Sequence, residues 1–297
     1  MECVSHPLFD KNISDCVYRS AMYFRCTFTA LLSMKKFTEN DLSLIDALEP
    51  EGWGSLIPRF RFFLSFNNCF AFKQMEGDVV AALGAVICFP DSYWLACIIT
   101  HPEFKRQGRG QLMTRFLIDK AVNNPAAAIQ LIATDAGFPL YRKLGFIEDG
   151  TYLHFQWEEN YFSFPHDVSV FPIAATDRSS VLELDRLQSG ENREALLSAY
   201  LEDAVVVRRG DRITGFCLPS FGEGLIVADD ADAGLSLMKW RIARKKNAAV
   251  PEENKVAVDF YRSLGLLPMR ISRRMYFGKK ADWEANRLFN RISGQLG

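Results

Sequence analysis

The stretch Ile98-Ile99-Thr100-His101-Pro102-Glu103-Phe104-Lys105-Arg106-Gln107-Gly108-Arg109-Gly110-Gln111-Leu112-Met113 places two glycines and three cations between an apolar run and an amphipathic one. The apolar run has strand character, and the residues after the glycines repeat at helical spacing. The first turn of a helix carries N–H groups without intrahelical acceptors, and the macrodipole adds partial positive charge there. Main chain alone can therefore hold a diphosphate at such a point. Glycines at 108 and 110 admit phosphate oxygens where a Cβ would stand. Lys105, Arg106 and Arg109 add charge around the loop, with Gln107 and Gln111 inside it. The stretch lacks the Gly-Lys-Ser/Thr ending of a triphosphate loop. The runs before it look antiparallel, unlike the opening of a dinucleotide-binding unit.

Positioning that loop takes a sheet and a helix, and the flanking sequence supplies both. Residues 69–73 and 79–89 are β-branched, aromatic or small apolar runs around a turn at 74–78, and 94–100 is a third strand after Phe89-Pro90-Asp91-Ser92. Residues 110–122 form a helix with Leu112, Met113, Phe116 and Leu117 on one face. Strand character returns at 128–134, helical at 138–144 and strand at 151–157. Upstream, a short strand leads to a helix capped by Thr38 or Asn40, with Leu42, Ile45 and Leu48 on one face. This order predicts an α/β (α+β) fold: a mixed, mostly antiparallel twisted sheet flanked by helices.

The same order then repeats. Tyr141-Arg142-Lys143-Leu144-Gly145-Phe146 is echoed by Tyr261-Arg262-Ser263-Leu264-Gly265-Leu266, and 204–208, Arg209-Gly210-Asp211 and 213–218 repeat the earlier hairpin. Two copies in tandem are expected, at 34–157 and 169–297, joined by a linker at 158–168 that breaks both periods. Residues 1–33 show no clear period and read as an N-terminal appendage that need not be structured. The second copy departs where the basic glycine loop should stand. It has Asp229-Asp230-Ala231-Asp232, three carboxylates that suit a helix start but repel a diphosphate.

The 297 residues carry a net charge of −1, which gives no excess for gripping a nucleic-acid backbone. With 48% hydrophobic residues and 24 Phe there is ample material for packed cores. The 7 cysteines are odd in number and form no Cys-x-x-Cys pair, so neither a disulfide framework nor a metal site is expected. No apolar run approaches the roughly 18–20 residues that span a bilayer, and the start lacks a secretory signal pattern. No membrane association and a cytoplasmic location are the expectation.

Lys105-x-x-Gly108-x-Gly110 after an apolar strand resembles the phosphate loop of the GNAT superfamily of N-acetyltransferases, Arg/Gln-x-x-Gly-x-Gly/Ala, with Lys at its first position. Leu140-Tyr141-Arg142-Lys143-Leu144-Gly145-Phe146 looks like that superfamily's Leu-Tyr-x-x-x-Gly-Phe segment. Residues 34–157 resemble a complete domain, including Thr38-Glu39-Asn40-Asp41-Leu42 and Glu51-Gly52-Trp53. The second copy resembles, on fewer residues, the degenerate second domain of tandem bacterial members.

The resemblance implies acetyl-coenzyme A as cosubstrate and no metal. Its diphosphate would lie on residues 105–111, and its pantetheine would add like a strand along the main chain of Ile98, Ile99 and Thr100. A backbone N–H at the end of that strand would polarise the thioester carbonyl. Transfer would be by direct attack of a primary amine of a small molecule. Tyr141 is implied as proton donor to the departing thiolate. With a phenol near 10 and a thiol near 8.5, full transfer is uphill by about 2 kcal/mol, so hydrogen-bond donation counts for more. Trp53 and Phe138 would line the acceptor pocket. Strand 94–100 has no carboxylate to act as base. Asp91, His101 and Asp135 lie nearby in sequence but read first as a turn residue, a helix-loop polar residue and a helix cap, and a water relay to bulk is an equal alternative, so the base stays open. Two alternatives stay open: a non-catalytic acyl-coenzyme A sensor or scaffold, and a protein or peptide N-acetyltransferase.

Overall fold

The computed structural model describes residues 34–121, 127–158, 162, 164–165 and 169–297. The appendage expected at 1–33, and most of the linker expected at 158–168, lie outside the described residues. The chain divides into two compact units between Ile129 and Gln130.

In the first unit β1 (Met34–Lys36), β2 (Cys69–Glu76), β3 (Val79–Cys88) and β4 (Ser92–Thr100) form an antiparallel meander in that order. The turn between β2 and β3 is tighter than the expected 74–78. Glu76 pairs with Val79, leaving only Gly77 and Asp78 in the loop, with Gly77 at φ 57°. Residues 39–48 wind as two 3-10 segments, Glu39–Leu44 and Asp46–Leu48, instead of one α-helix. The reason is in the spacing. Leu42, Ile45 and Leu48 are three apart, the period of a 3-10 helix, and all three are buried. Thr38 stands at the N-cap position, and Asp41 Oδ2 accepts from its N–H and its hydroxyl at 2.8 and 2.9 Å.

Helix α1 (Ile57–Ser65) precedes β2, and α2 (Arg109–Ala121) follows β4. α2 buries Met113, Phe116 and Leu117 against β3, which is itself buried from Val80 to Cys88. Gly84 makes the close approach possible: a Cβ there would stand 2.8 Å from both Met113 and Leu117. The helix that begins at the glycine loop is thereby seated on the sheet.

β5 (Ala128–Ala133) straddles the division. The second unit continues with α3 (Phe138–Lys143), β6 (Ile147–Gln156), β7 (Val170–Pro172), α4 (Arg178–Ser189), α5 (Glu194–Leu197), β8 (Val205–Arg209), β9 (Arg212–Leu218) and β10 (Leu225–Ala228). It ends with α6 (Ala231–Ile242), β11 (Asn247–Pro251), α7 (Lys255–Ser263), β12 (Arg270–Gly278) and β13 (Leu288–Asn290). One strand order is β13-β10-β9-β8-β7 and the other β5-β12-β6-β11. β6 starts four residues before the expected 151 and runs antiparallel to both β12 and β11. Its Phe155, and the Trp157 just beyond it, stack on Tyr261 of α7 with ring centroids 4.8 and 5.7 Å apart. Two aromatics of 158–168 join this core, Phe162 near Trp157 and Phe164 near Phe260. Among the described residues, no helix is long and apolar enough to cross a membrane.

His154 of β6 is buried with Nε2 2.8 Å from Ser272 Oγ, which also accepts from Arg291 Nη1 at 3.2 Å. Burial, reinforced by the Arg291 and Arg270 charges, pushes its pKa down to about 2. The unfolded imidazole keeps its ordinary value near 6.5, so protons bind the unfolded chain first. Stability from this residue is complete above about pH 6.5 and drains below it, by up to about 1.4 kcal/mol per pH unit. Urea midpoints of the wild type should fall between pH 7 and pH 5, and His154→Gln should flatten that slope. An equal slope in both would assign the acid sensitivity elsewhere.

Candidate active site

Beyond Thr100 the chain makes a 3-10 turn, Pro102–Phe104, in which His101 Nδ1 accepts from the Glu103 N–H at 3.3 Å. Arg106 and Gly108 then take left-handed conformations, at φ 62° and 78°. A Cβ at Gly108 would meet nothing within 4 Å, so backbone conformation, not crowding, calls for glycine there. The first α2 bond reaching into the loop runs from Leu112 N–H to Gly108 O at 2.9 Å. The N–H groups of Gly108, Arg109, Gly110 and Gln111 have no carbonyl partner among the described residues. Lys105 and Arg106 are exposed and carry no ion pair there either. Arg109 is different: its guanidinium is salt-bridged to Glu76 and lies 5.8 Å from the Phe104 ring. Gln107 is turned back onto Glu103 O at 2.9 Å. Four available N–H groups, a 13-residue helix behind them and two uncommitted cations fit a diphosphate.

β4 contains a feature that its sequence does not announce. Ala96 pairs with Ala85 and Ile99 with Leu83, so Cys97 and Ile98 together face Gly84 in a β-bulge. Cys97 sits at φ 48°, uncommon for a residue other than glycine or asparagine. A bulge re-aims main-chain groups away from the ladder direction and is often found beside a site. The side chains stay structural: Ile99 is buried and Ile98 half-buried.

In the second unit, α3 opens at Gly137, whose N–H donates to Thr134 Oγ1 at 3.3 Å. Thr134 is therefore the residue that caps this turn. Asp135, read from sequence as the cap, is turned to Arg273 at 2.5 Å instead. Gly137 leaves room for the Tyr141 ring, since a Cβ would lie 2.8 Å from its Cε2. The helix ends in a Schellman closure: Gly145 at φ 94°, its N–H on Arg142 O and the Phe146 N–H on Tyr141 O, both 3.0 Å. The echoed segment closes identically, Gly265 on Arg262 O at 2.9 Å and Leu266 on Tyr261 O at 3.1 Å. The shared Tyr-x-x-x-Gly spacing thus ends a helix in both copies. The two tyrosines differ in surroundings. Tyr261 is fully buried, and burial pushes its phenol up to about 12. Tyr141 keeps 8% exposure beside Phe146.

Of the expected pocket aromatics, Trp53 belongs to the first unit, half-buried, with the Arg59 guanidinium 5.8 Å from its ring and Arg59 Nη2 on its carbonyl at 2.7 Å. Phe138 belongs to the second, its ring 4.5 Å from Arg273 and 5.7 Å from Arg142. Each ring already faces a cation.

The second copy treats the equivalent slot in another way. Asp230 Oδ1 accepts from Ala233 N–H at 2.9 Å and so uses a donor at the start of α6. Asp229 pairs with Arg212, and the largely exposed Asp232 lies 3.7 Å from Arg209. One carboxylate of the three, not all, occupies helix donors. The edge of β10 is taken by the chain itself. β13 pairs with it through Ile226↔Asn290 and Val227↔Leu288. On the other side, Ala249 N–H donates to Asn290 Oδ1 at 3.0 Å and Arg291 N–H to Ala249 O at 3.1 Å. β13 therefore fills the space between β10 and β11, where by chain order an added pantetheine strand would lie. Phe289 is pressed onto Gly234 in the first turns of α6, where a Cβ would come within 2.2 Å of the ring.

Residues 37–146 match the model described as Acetyltransferase (GNAT) family, and residues 181–290 match one described as Acetyltransferase (GNAT) domain. The chain belongs to the GNAT acetyltransferase family and carries two of its domains in tandem. It is similar to the uncharacterised N-acetyltransferase YitH of Bacillus subtilis (strain 168), 23% identical over 77% of this chain and 84% of that protein. A presumed acetyltransferase of Pyrococcus horikoshii has the same fold at a TM-score of 0.74 and 18% identity, over 94% of this chain and 98% of that one. A GCN5-related N-acetyltransferase from Sphaerobacter thermophilus aligns at a TM-score of 0.58 and 14% identity, over 82% and 94%.

Proposed function

We propose that the first copy binds acetyl-coenzyme A and transfers its acetyl group to a primary amine of a small molecule, in the cytoplasm. The observation that carries this reading is the loop at 105–111: free N–H groups at a helix start, with no carboxylate among them. Acetyl-coenzyme A supplies an activated thioester. Gly108, Arg109, Gly110 and Gln111 hold the diphosphate through main chain, and Lys105 and Arg106 add charge. The main chain of Ile98, Ile99 and Thr100, set by the bulge at Cys97, receives the pantetheine amides and aims an N–H at the developing oxyanion. Tyr141 donates a hydrogen bond to the departing sulfur. Trp53 and Phe138, each facing a guanidinium, can exchange it for the substrate's cation. No side chain of β4 is a carboxylate, and His101 Nδ1 is engaged with the Glu103 N–H, so the amine's proton leaves through water.

The test is amine-dependent release of free thiol across a panel of amines. Tyr141→Phe should lower kcat about 10²-fold while the acetyl-coenzyme A Kd stays within about twofold. Unchanged kcat removes Tyr141 from the mechanism. Binding without thiol release for any amine favours the sensor reading, and release only with peptides favours a protein acceptor.

A further inference from the structure

The strand between β5 and β6 is β12, so residues 270–278 of the second copy lie between two strands of the first. β12 runs antiparallel to β6, with Arg273 opposite Thr151 and Met275 opposite Glu148. In the chain, what joins β5 to β6 is the segment containing α3, the helix that carries Tyr141. That helix needs outside support. It has six residues, fewer than two turns, and Tyr141 is its one buried residue. A helix this short is not stable in water by itself, and a single buried side chain gives it little hydrophobic anchorage.

β12 grips α3 at both ends. At the entry, Arg273 Nη1 lies 2.5 Å from Asp135 Oδ1, and the guanidinium is 4.5 Å from the Phe138 ring. The same guanidinium reaches past the helix to β6, with Nε 3.7 Å from Glu148 Oε1. At the exit, Phe277 packs on Phe146 with ring centroids 5.5 Å apart, and a Cβ on Gly145 would stand 3.4 Å from the Phe277 ring. Phe146 in turn meets Tyr141 edge to face at 5.9 Å. Arg142 also lies near Phe138, but it is exposed and 5.7 Å away, so it is the guanidinium that can yield to a substrate's cation. Arg273 is held by two carboxylates and a ring face at once, an arrangement that suits a planar fork and not a point charge. Surface ion pairs contribute little to stability, so what these contacts supply is geometry.

We propose that Arg273 is a positioning residue: it fixes α3 from the second copy and so aims the Tyr141 hydroxyl at the departing sulfur. The proposal rests on the acetyl-transfer reading for the role of Tyr141. It gives the second copy a task that requires no ligand of its own, the support of the first copy's proton donor.

The experiment is a double-mutant cycle between Arg273→Ala and Tyr141→Phe in the full chain, read by amine-dependent thiol release, with amide hydrogen exchange of 137–146 measured on the same proteins. Arg273→Ala should lower kcat about tenfold or more, as a misplaced catalytic group does, and keep the acetyl-coenzyme A Kd within about twofold. In the Tyr141→Phe background it should lower kcat no further, because a residue that acts through Tyr141 then has nothing left to place. Exchange of the α3 amides should quicken about tenfold or more in Arg273→Ala while the melting temperature stays unchanged. Unchanged kcat, additive losses in the cycle, or exchange equal to the wild type would each overturn the proposal. A wild type that releases no thiol with any amine would instead overturn the acetyl-transfer reading, and the exchange rates would still decide whether Arg273 holds α3.

Discussion

Gly110→Asp is expected to abolish acetyl-coenzyme A binding while leaving the fold intact. The substitution puts a carboxylate in the first turn of α2, where the diphosphate would meet the free N–H groups of 108–111. Two unit charges about 4 Å apart near a protein surface repel by about 4 kcal/mol, which is about a thousandfold in affinity. Helix stability should not suffer, because an acidic residue in a first turn interacts favourably with the dipole. The Gly110 carbonyl, which accepts from Thr114 Oγ1 at 2.7 Å, is untouched. Calorimetry should give one site per wild-type chain, none in the variant and equal melting temperatures. Retained binding in the variant would remove the loop from the site. Two sites in the wild type would show that the second copy also takes the coenzyme.

Phe289→Ala should be the most destabilising of the substitutions considered. The ring is 2% exposed and occupies the gap that Gly234 leaves in α6. Deleting a buried phenylalanine side chain costs about 3–5 kcal/mol, because the transfer term and the cavity term add. Denaturant unfolding should show that loss, and the coenzyme stoichiometry should nonetheless stay at one. Asp230 still caps α6, and the β13 main chain still pairs with β10. A loss below about 1 kcal/mol would mean that the space can collapse around the missing ring.

Much of the strand and helix order could be read from local pattern, because alternation and helical spacing report burial directly. The glycine loop was legible because a positive φ, as at Gly108, restricts residue type. The bulge in β4 was not. Cys97 adopts φ 48° without being glycine or asparagine, so nothing in its identity marks the position. The Tyr-x-x-x-Gly spacing was legible as a repeat, but its cause is helix termination, which operates equally at Tyr261, a fully buried residue. Thr134 and Asp135 are adjacent candidate caps, and the choice between them rests on Arg273, which is remote in sequence and draws Asp135 away. The filling of the β10 edge by β13 is equally remote information. A three-residue strand near the end of a chain has too short a pattern to name its partner.

The place of β6 between β12 and β11 sets a schedule for synthesis. His154 of β6 and Ser272 of β12 are hydrogen-bonded but lie 118 residues apart. At roughly 5–20 residues per second, β6 emerges about 6–24 s before that neighbour exists. During that interval Tyr152 and Phe155, buried once the sheet is complete, have no finished sheet to enter. A ribosome paused before α7 would hold a nascent chain with an open strand edge and exposed aromatics, the form of this protein most in need of a chaperone.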